Sequence, residues 1–308
     1  MLIILVAATM LTAFLTLVYF WKITRSRESY QNNSGGRGGG GAGGNRVCCL
    51  YAYYEKNKEY EQNLRYFLKY GLSDDVDFYF IVNGQCSVSF PTQKSNITVL
   101  KRENLGYDFG AWQACISKYL NGGGGGRSYD YYFFLNTSVK GPIPAELGGD
   151  WVERFLELFE DVDGTKLVGT TINITNDIPQ TSGFHFLPPY THVQSMFFGM
   201  DRDAFDFLLH EKGFFNDEEI LNGSRDLSYI VIHKEVTMSQ LILQNGWNIN
   251  AMAPKYRGKD YRKVTANFNP SSDNPYRVCG DSPDKARYFG RNIFPEEVIF
   301  YKTNLSCV

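Results

Sequence analysis

The sequence carries no excess charge of one sign and few of the residues that build metal or nucleophile sites. Lys plus Arg total 31 and Asp plus Glu total 33, so no basic face of the kind that nucleic-acid binders need is indicated. Only 4 His and 6 Cys are present, without the Cys/His spacing of a zinc site. The chain also lacks a Gly-rich phosphate loop ending in Lys-Ser/Thr and a nucleophile elbow. These absences disfavour P-loop nucleotidases, zinc enzymes and serine hydrolases.

Aromatic residues, in contrast, are abundant, with 21 Tyr and 23 Phe. Flat rings pack against the apolar faces of sugars, so this composition suits a carbohydrate-binding surface. The simpler interpretation is that the aromatic side chains fill buried strands, where they are favoured. A hydrophobic fraction of 43% over 308 residues fits one large α/β domain or two small ones.

The first 21 residues form the longest apolar run and carry no charged side chain. About twenty helical residues span a hydrocarbon core of roughly 30 Å, and Lys22 and Arg25 follow at once. The run lacks the preceding basic residues and the small-residue cleavage site of a signal peptide. We therefore expect residues 1–21 to be an uncleaved, single-pass transmembrane anchor.

Two signals disagree on the orientation of this anchor. All flanking Lys and Arg residues lie on its C-terminal side, which by itself places the following domain in the cytosol. Glycosylation triplets favour a lumenal domain. The even number of Cys residues permits disulfides without requiring them, and Cys279 and Cys307 are the expected pair. The expectation adopted is a membrane glycoprotein of the Golgi or endoplasmic reticulum. The N-x-Ser/Thr triplets on which this rests begin at Asn32, Asn96, Asn173, Asn222 and Asn304; Asn136-Thr137-Ser138 is a further formal triplet, poorly accessible at the end of a predicted buried strand.

Residues 22–45 are predicted to be a linker. Gly occupies eight of the ten positions from Gly35 to Gly44, and such a chain buries no side chains and behaves as a flexible tether. The folded domain is therefore predicted to span residues 46–308. A second run, Gly122–Gly126, is predicted to be a solvent-exposed loop.

From Arg46 onward, short apolar runs alternate with segments of helical periodicity. Strands are predicted at 47–53, 76–82, 97–100 and 131–135, and helices at 60–72 and 112–120. This alternation indicates βαβ units in a mostly parallel sheet flanked by helices. Ligands bind beyond the carboxyl ends of parallel strands, so the polar residues that follow the strands should share one edge. They are Tyr53-Tyr54-Glu55, Asn83-Gly84, the stretch after Leu100, and Asn136-Thr137-Ser138.

Residues 102–112 (RENLGYDFGAW) combine a turn, a helix entry with small residues, and the polar side chains of Arg102, Asn104 and Asp108. The free amides of a helix N-terminus favour negative charge, so this segment suits a diphosphate. Two glycines that open a helix also occur in ordinary turns, and their spacing alone leaves both interpretations open.

The order of these motifs resembles that of glycosyltransferases with the GT-A fold. Residues 104–112 are similar to the Asn-x-Gly-x-Asp-Phe-Gly-Ala-Trp segment of the group that includes rhamnan synthesis protein F. Residues 134–142 fall where such folds carry an Asp-x-Asp metal motif, and residues 192–202 resemble the acceptor-side strand and turn. The resemblance covers about residues 46–255 and extends to residues 294–296. It implies a GT-A-like fold that transfers a sugar from a nucleotide-sugar donor to a glycan or polysaccharide acceptor, in polysaccharide biosynthesis.

The resemblance also implies roles for individual residues. Glu235 opens a predicted helix (EVTMSQLILQNGW) similar to the Glu/Asp helix of inverting enzymes, whose carboxylate is the general base. The alternative is that Glu235 only caps this helix, since acidic residues favour the first turn. His192 and Gln194 are expected near the acceptor. Donor contacts are expected from Tyr53, Asn83, Arg102, Asn104, Asp108, Asn136 and Ser138.

The chain departs from the GT-A pattern at the metal motif, where the neutral residues Asn136 and Ser138 replace carboxylates that bind Mn²⁺ or Mg²⁺. One interpretation is a metal-independent enzyme in which Arg102 or Lys140 offsets the diphosphate charge. Another is a metal held through Asp108 or a different carboxylate. The third is a non-catalytic carbohydrate-binding protein with a degenerate glycosyltransferase fold. A glycoside hydrolase is not favoured, because no pair of catalytic carboxylates is apparent.

Overall fold

The computed structural model describes residues 45–121, 128–176, 178, 181, 183–266, 289 and 293–303. The expected anchor, the linker as far as Gly44, the second glycine run and the pair Cys279–Cys307 lie outside the described residues. In the part of the chain that is described, no helix is long and apolar enough to cross a bilayer.

A seven-stranded sheet forms the centre of the domain, with spatial order β10-β6-β9-β4-β1-β2-β3. Neighbouring strands are parallel except where β9 pairs antiparallel with β4 and β6. The predicted mostly parallel α/β sheet is confirmed. Two further pairs, β5 with β11 and β7 with β8, are antiparallel. The strands are β1 Val47–Tyr53, β2 Val76–Asn83, β3 Ile97–Arg102, β4 Tyr131–Asn136, β5 Val139–Lys140, β6 Thr165–Gly169, β7 Ile172–Thr175, β8 Tyr190–Val193, β9 Phe197–Asp201, β10 Asn248–Ala251 and β11 Tyr301–Lys302.

Helices flank the sheet, and three of them run directly into π-helical turns. These turns are Ile116–Leu120 after α2, Phe207–Glu211 after α4, and Val231–Val236 between α6 and α7. Short 3₁₀ segments lie at Ala145–Asp150 and Tyr261–Lys263. The α-helices are α1 Lys58–Tyr70, α2 Tyr107–Cys115, α3 Trp151–Glu160, α4 Arg202–Asp206, α5 Glu218–Leu221, α6 Leu227–Ile230, α7 Thr237–Gln244 and α8 Pro295–Val298.

Two predicted helix starts are wrong. The helix predicted from Trp112 begins at Tyr107, because Gly106 and Tyr107 adopt the left-handed conformation and turn the chain into the helix there. Glu235 does not open a helix, because the backbone is helical from Leu227 through Gln244 and Glu235 lies inside the π-helical turn. Asp226 is the N-cap, and its side chain accepts a hydrogen bond from the Tyr229 amide at 2.8 Å. The interpretation of Glu235 as a helix cap is thereby excluded.

Aromatic side chains fill the core on both faces of the sheet. Consecutive residues of a strand point to opposite faces, and β9 illustrates this with two adjacent Phe residues. The Phe197 ring stacks on Phe300 at a centroid distance of 4.4 Å, whereas Phe198 stacks on Phe134 at 4.6 Å. Trp112 of α2 packs edge-on against Phe198 at 5.3 Å. Much of the aromatic content therefore serves packing, as the simpler interpretation of the composition proposed.

The register of the sheet brings the predicted polar segments to one edge. Ala52 is opposite Asn136 in the β1–β4 pair, and Asn83 is opposite Arg102 in the β2–β3 pair. The carboxyl ends of four adjacent parallel strands thus coincide. This edge was predicted from the alternation of strands and helices, and the structure confirms it.

The glycosylation triplets within the described residues differ in accessibility. Asn222 is exposed, whereas the Asn96 side-chain amide donates to the carbonyls of Ser73 and Val76 at 2.9 and 2.8 Å. A glycan at Asn96 would break at least one of these bonds. Asn32 and Asn304 lie outside the described residues.

Candidate functional site

The segment after β4 is held in place by neighbouring elements. Thr137 Oγ1 accepts a hydrogen bond from the Tyr54 amide at 3.2 Å. The Asn63 side chain of α1 donates to the Thr137 carbonyl at 3.0 Å, and the Thr303 amide donates to the Ser138 carbonyl at 2.9 Å. Residues 136–138 are therefore fixed from β1, from α1 and from the chain after β11.

Asn136 joins this segment to the first turn of α2. Its Nδ2 donates to Asp108 Oδ2 at 2.8 Å, and its Oδ1 accepts from the amide and hydroxyl of Ser138 at 3.0 and 2.6 Å. Burial raises the pKa of Asp108; the bond from Asn136 opposes this shift and the charge of Glu235 adds to it. Asn136 and Asp108 thus join the end of β4 to the first turn of α2.

The two glycines of the 104–112 motif are required by packing. Gly106 has a φ of 67°, and a Cβ there would lie 2.0 Å from the Ile220 carbonyl oxygen of α5. A Cβ at Gly110 would lie 2.6 Å from the Leu105 carbonyl oxygen. Between them, Tyr107 has a φ of 55° and is 45% exposed. The glycines thus allow the close approach of α5 and shape the loop that presents Asp108.

The turn between β8 and β9 connects Glu235 to the same edge. Glu235 Oε2 accepts hydrogen bonds from the Ser195 amide at 2.7 Å and from the Ser195 hydroxyl at 2.5 Å. The carbonyl of the next residue, Met196, accepts a hydrogen bond from the backbone amide of Asn136 at 3.1 Å. A continuous chain of contacts therefore links Glu235, Ser195, Asn136 and Asp108.

Ser195 was not predicted as a site residue. Its contact with Glu235 joins positions 40 residues apart, and no local pattern in the sequence encodes such a pairing. The available signal was its position in a short polar turn before the apolar strand β9, a position that many structural Ser residues share.

His192 lies beside Glu235 and is almost fully buried, with 3% exposure. Its Nδ1 is 2.8 Å from the Tyr190 carbonyl oxygen. A carbonyl only accepts hydrogen bonds, so Nδ1 carries a proton and Nε2 of the neutral ring has a free lone pair. Nε2 lies 3.7 Å from Glu235 Oε1. Burial lowers the pKa of His192, against the opposing influence of Glu235, and favours this neutral form.

Gln194, the other expected acceptor residue, is also buried. Its backbone amide donates to the Thr171 carbonyl at 3.4 Å. Its Oε1 has no hydrogen-bond partner among the described residues. An unpaired buried amide oxygen costs about 1–3 kcal/mol, and a ligand hydroxyl that bonds to it would remove this cost.

The remaining expected donor residues have different surroundings. Arg102 Nη1 donates to Asn83 Oδ1 at 3.0 Å and to the Leu105 carbonyl at 2.9 Å, which braces the loop before α2, and burial lowers the pKa of Arg102. Asn104 is exposed in this loop. Tyr53 is fully buried, and its hydroxyl donates to Glu55 Oε2 at 2.7 Å. The structure thus brings together Asp108, Asn136, Ser138, His192 and Glu235, whereas the Tyr53 hydroxyl is engaged elsewhere.

The residues at the edge do not fit an Asp-x-Asp metal site. Asn136 directs its amide nitrogen to Asp108 and its oxygen to Ser138, so Asp108 supplies the only carboxylate of this trio. No group of three or more His, Cys, Asp or Glu side chains that could hold a metal ion occurs within the described ranges. Lys140, an alternative source of positive charge, has its Nζ 4.9 Å from the Tyr66 ring centroid.

Comparisons with known proteins give distant structural likenesses. No protein-family model matches the sequence, and no curated protein matches it. The chain is similar to the mannosyltransferase PcManGT from Pyrobaculum calidifontis in complex with GDP-Man and Mn²⁺, with 7% identity, a TM-score of 0.42 and coverage of 67% of this chain and 54% of that one. It is also similar to residues 1–349 of TarS from S. aureus, with 10% identity, a TM-score of 0.37 and coverage of 62% and 55%. For TarS 1–349 in complex with UDP-GlcNAc, the identity is 11%, the TM-score is 0.33, and the coverage is 54% of this chain and 47% of that one. The chain spans about half the length of these structures.

Proposed function

We propose that this chain is a glycosyltransferase that moves a sugar from a nucleotide-sugar donor to a hydroxyl of a glycan or polysaccharide acceptor, with inversion at the anomeric carbon. The observation that carries the proposal is the turn at Ser195 and Met196, which joins Glu235 to the Asp108–Asn136 pair at the carboxyl edge of the parallel strands. Ligands of α/β sheets bind at such edges. The resemblance of residues 104–112 to a glycosyltransferase segment supports the same conclusion.

In the proposed reaction, the donor lies beyond β1 to β4, with its diphosphate near the N-terminus of α2. Glu235, whose side chain is 16% exposed, takes the proton of the acceptor hydroxyl as that oxygen attacks the anomeric carbon. The bond from the anomeric carbon to the diphosphate breaks, and its electron pair leaves with the nucleoside diphosphate. His192 and Gln194 border the acceptor, and the Gln194 amide oxygen is suited to accept a hydrogen bond from a sugar hydroxyl.

The charge of the leaving diphosphate is offset, in this proposal, by the chain itself. The first-turn amides of α2 carry partial positive charge, and Arg102 braces the loop in front of them. A divalent cation is the alternative source of charge, with Asp108 as the carboxylate available to it. Turnover measured with Mn²⁺, with Mg²⁺ and with a chelator distinguishes the two.

The proposal includes attachment to a membrane through residues 1–21 and a lumenal domain in the Golgi or endoplasmic reticulum. It rests on the uncharged N-terminal run and the glycosylation triplets. Extraction of the full-length protein from membranes by detergent but not by alkaline carbonate supports the anchor. Loss of apparent mass after glycosidase treatment supports the lumenal location.

A second candidate is a non-catalytic carbohydrate-binding protein. It is favoured by the neutral Asn136 and Ser138 side chains, which are hydrogen bonded to each other at the place of the metal motif. A screen of the full-length protein against a panel of nucleotide sugars, with release of the nucleotide as the readout, separates the candidates. Release that depends on an acceptor glycan supports the transferase, and glycan binding without release supports the second candidate.

A further inference from the structure

The two oxygens of the Glu235 carboxylate have different surroundings. Oε2 accepts two hydrogen bonds from Ser195, one from the amide at 2.7 Å and one from the hydroxyl at 2.5 Å. Two donors on one oxygen fix the rotation of the carboxylate and reduce the ability of that oxygen to accept another proton. Oε1 is therefore the oxygen that remains for chemistry.

The group that faces Oε1 is a buried imidazole with an available lone pair. His192 Nε2 lies 3.7 Å from Oε1, and the Nδ1 proton is held on the Tyr190 carbonyl. Hydrogen bonds between catalytic groups are often long before substrate binds and shorten in the reacting complex. Because the ring is buried, a proton that reaches Nε2 is shielded from bulk solvent.

The helix that carries Glu235 is tied directly to the strand that carries His192. The Val193 amide donates to Ser239 Oγ at 2.9 Å, and the Gln240 side-chain amide donates to the Thr191 carbonyl at 2.7 Å. Both contacts bridge β8 and α7 on either side of the His192 position. The relative placement of imidazole and carboxylate is thus set by paired hydrogen bonds and does not depend on the substrate.

The π-helical turn at Glu235 is stabilised in the same region. The Ile232 carbonyl, within the widened turn Val231–Val236, accepts hydrogen bonds from the Thr237 backbone amide and from Thr237 Oγ1, the latter at 2.9 Å. Single π turns inside α-helices frequently occur at functional sites. The widened turn changes which way residue 235 projects relative to α7, so its geometry is part of how Glu235 meets Ser195.

We propose that Ser195 is a positioning residue that fixes Oε2 of Glu235, and that His192 receives from Oε1 the proton taken from the acceptor hydroxyl. The inference rests on the proposed glycosyl transfer. The acceptor O–H bond breaks as the oxygen bonds to the anomeric carbon, and the electron pair of the broken glycosyl–phosphate bond leaves with the nucleoside diphosphate. The proton passes to Oε1 and then to Nε2, which leaves a carboxylate beside an imidazolium. The charge of Glu235 also contributes to the raised pKa of Asp108.

His192→Gln in the full-length protein tests the role of His192 in receiving the proton from Glu235. We expect kcat to fall about 10²-fold with the donor KM unchanged, and the acidic midpoint of the kcat/KM profile to move. His210→Gln is the matched control, because His210 is an exposed residue whose Nε2 lies 3.9 Å from Asp206 Oδ1. An H192Q protein with normal kcat and an unmoved acidic midpoint overturns the proposal for His192.

Ser195→Ala tests the positioning role in a variant that keeps the backbone amide bond to Oε2. We expect kcat to fall about 10- to 100-fold, since the loss of one hydrogen bond to a charged group is of this size, with Ser195→Thr restoring most of the rate. Combined with Glu235→Gln, S195A should cause no further loss, because Ser195 acts through Glu235. If S195A lowers kcat by the same factor in the unsubstituted protein and in E235Q, the positioning role is overturned. Absence of turnover by the unsubstituted protein on every donor overturns the proposed function itself.

Discussion

Asn136 Nδ2 donates to Asp108 Oδ2 at 2.8 Å and so joins the end of β4 to the first turn of α2. Both residues lie at the sheet edge where the polar segments converge. A half-buried carboxylate with an amide partner and a second carboxylate nearby is a costly arrangement for stability alone. Its energetics affect the pH dependence of stability, and its proposed use affects donor binding.

The first prediction concerns the pH dependence of stability. Burial, reinforced by Glu235, raises the pKa of Asp108. The folded state then binds this proton more tightly than the unfolded state, so stability is lost as the pH rises from the ordinary Asp pKa through the raised one. Asp108→Asn keeps an acceptor for Asn136 and removes the titration. We therefore expect the difference in Tm, D108N minus the unsubstituted protein, to increase as the pH rises from 4 to 7. The starting pH of 4 is about the ordinary Asp pKa.

Melting curves across this pH range measure the effect, and Asp75→Asn, at an exposed position, is the control. The Tm difference between D75N and the unsubstituted protein is the baseline for the comparison. If the difference for D108N decreases as the pH rises, the Asp108 carboxylate stabilises the folded state and the inferred direction is wrong.

The second prediction is that Asp108→Asn weakens donor binding. In the proposed site, Asp108 lies at the α2 N-terminus and accepts a hydrogen bond from the donor. The loss of one hydrogen bond to a charged group corresponds to about a 10- to 100-fold increase in Kd. Calorimetric titration with the nucleotide sugar that gives turnover measures the Kd of D108N, with D75N as the control. Unchanged affinity in folded D108N would remove Asp108 from the donor site.

The third prediction separates two effects at Gly106. Gly106→Ala places a Cβ 2.0 Å from the Ile220 carbonyl oxygen at a φ of 67°. Gly213→Ala introduces a Cβ at a φ of 60° with no atom within 4 Å. We expect G213A to lose about 1–2 kcal/mol of unfolding free energy from backbone strain, and G106A to lose about 2–5 kcal/mol because the clash with α5 adds to it. Urea unfolding measures the unfolding free energy of both variants. Equal losses in G106A and G213A would mean that α5 moves away from the added Cβ without cost.

The strands and the site edge were predictable from the sequence because their signals are local. The buried run Val47–Tyr53 and the run Val76–Asn83 are almost entirely apolar, as expected of parallel strands covered on both faces. Once their direction is known, the polar residues after them must meet at one edge. The adjacent Cys48 and Cys49 are both buried, as expected of core positions.

The helix that carries Glu235 was mispredicted because two of its signals conflict. Asp226 followed by Leu227 has the pattern of an N-cap, but the β-branched pair Val231-Ile232 that follows is typical of a strand. The structure resolves the conflict in favour of the helix, with Asp226 as the cap and a π turn at Val231–Val236. The contact of Ser195 with Glu235 depends on that turn and on the β8–β9 turn together, so it has no counterpart in any short stretch of sequence.

The last prediction compares Glu235→Gln with Asp226→Ala on the same helix. Gln at 235 keeps an oxygen that accepts the bonds of Ser195 but cannot take the acceptor proton. We expect turnover to fall about 10²- to 10⁴-fold, with donor affinity and Tm nearly unchanged, since in the proposed reaction Glu235 contacts the acceptor and not the diphosphate. Asp226→Ala removes the N-cap bond to Tyr229 and should cost about 1 kcal/mol of stability with turnover retained. Steady-state kinetics, calorimetric titration and melting curves on both variants test this. If Glu235 is the base, E235Q loses turnover and keeps its Tm, whereas D226A loses stability and keeps its turnover. Near-normal turnover in E235Q would exclude Glu235 as the base, and a loss shared equally by D226A would mean that helix integrity, not the carboxylate, controls the rate.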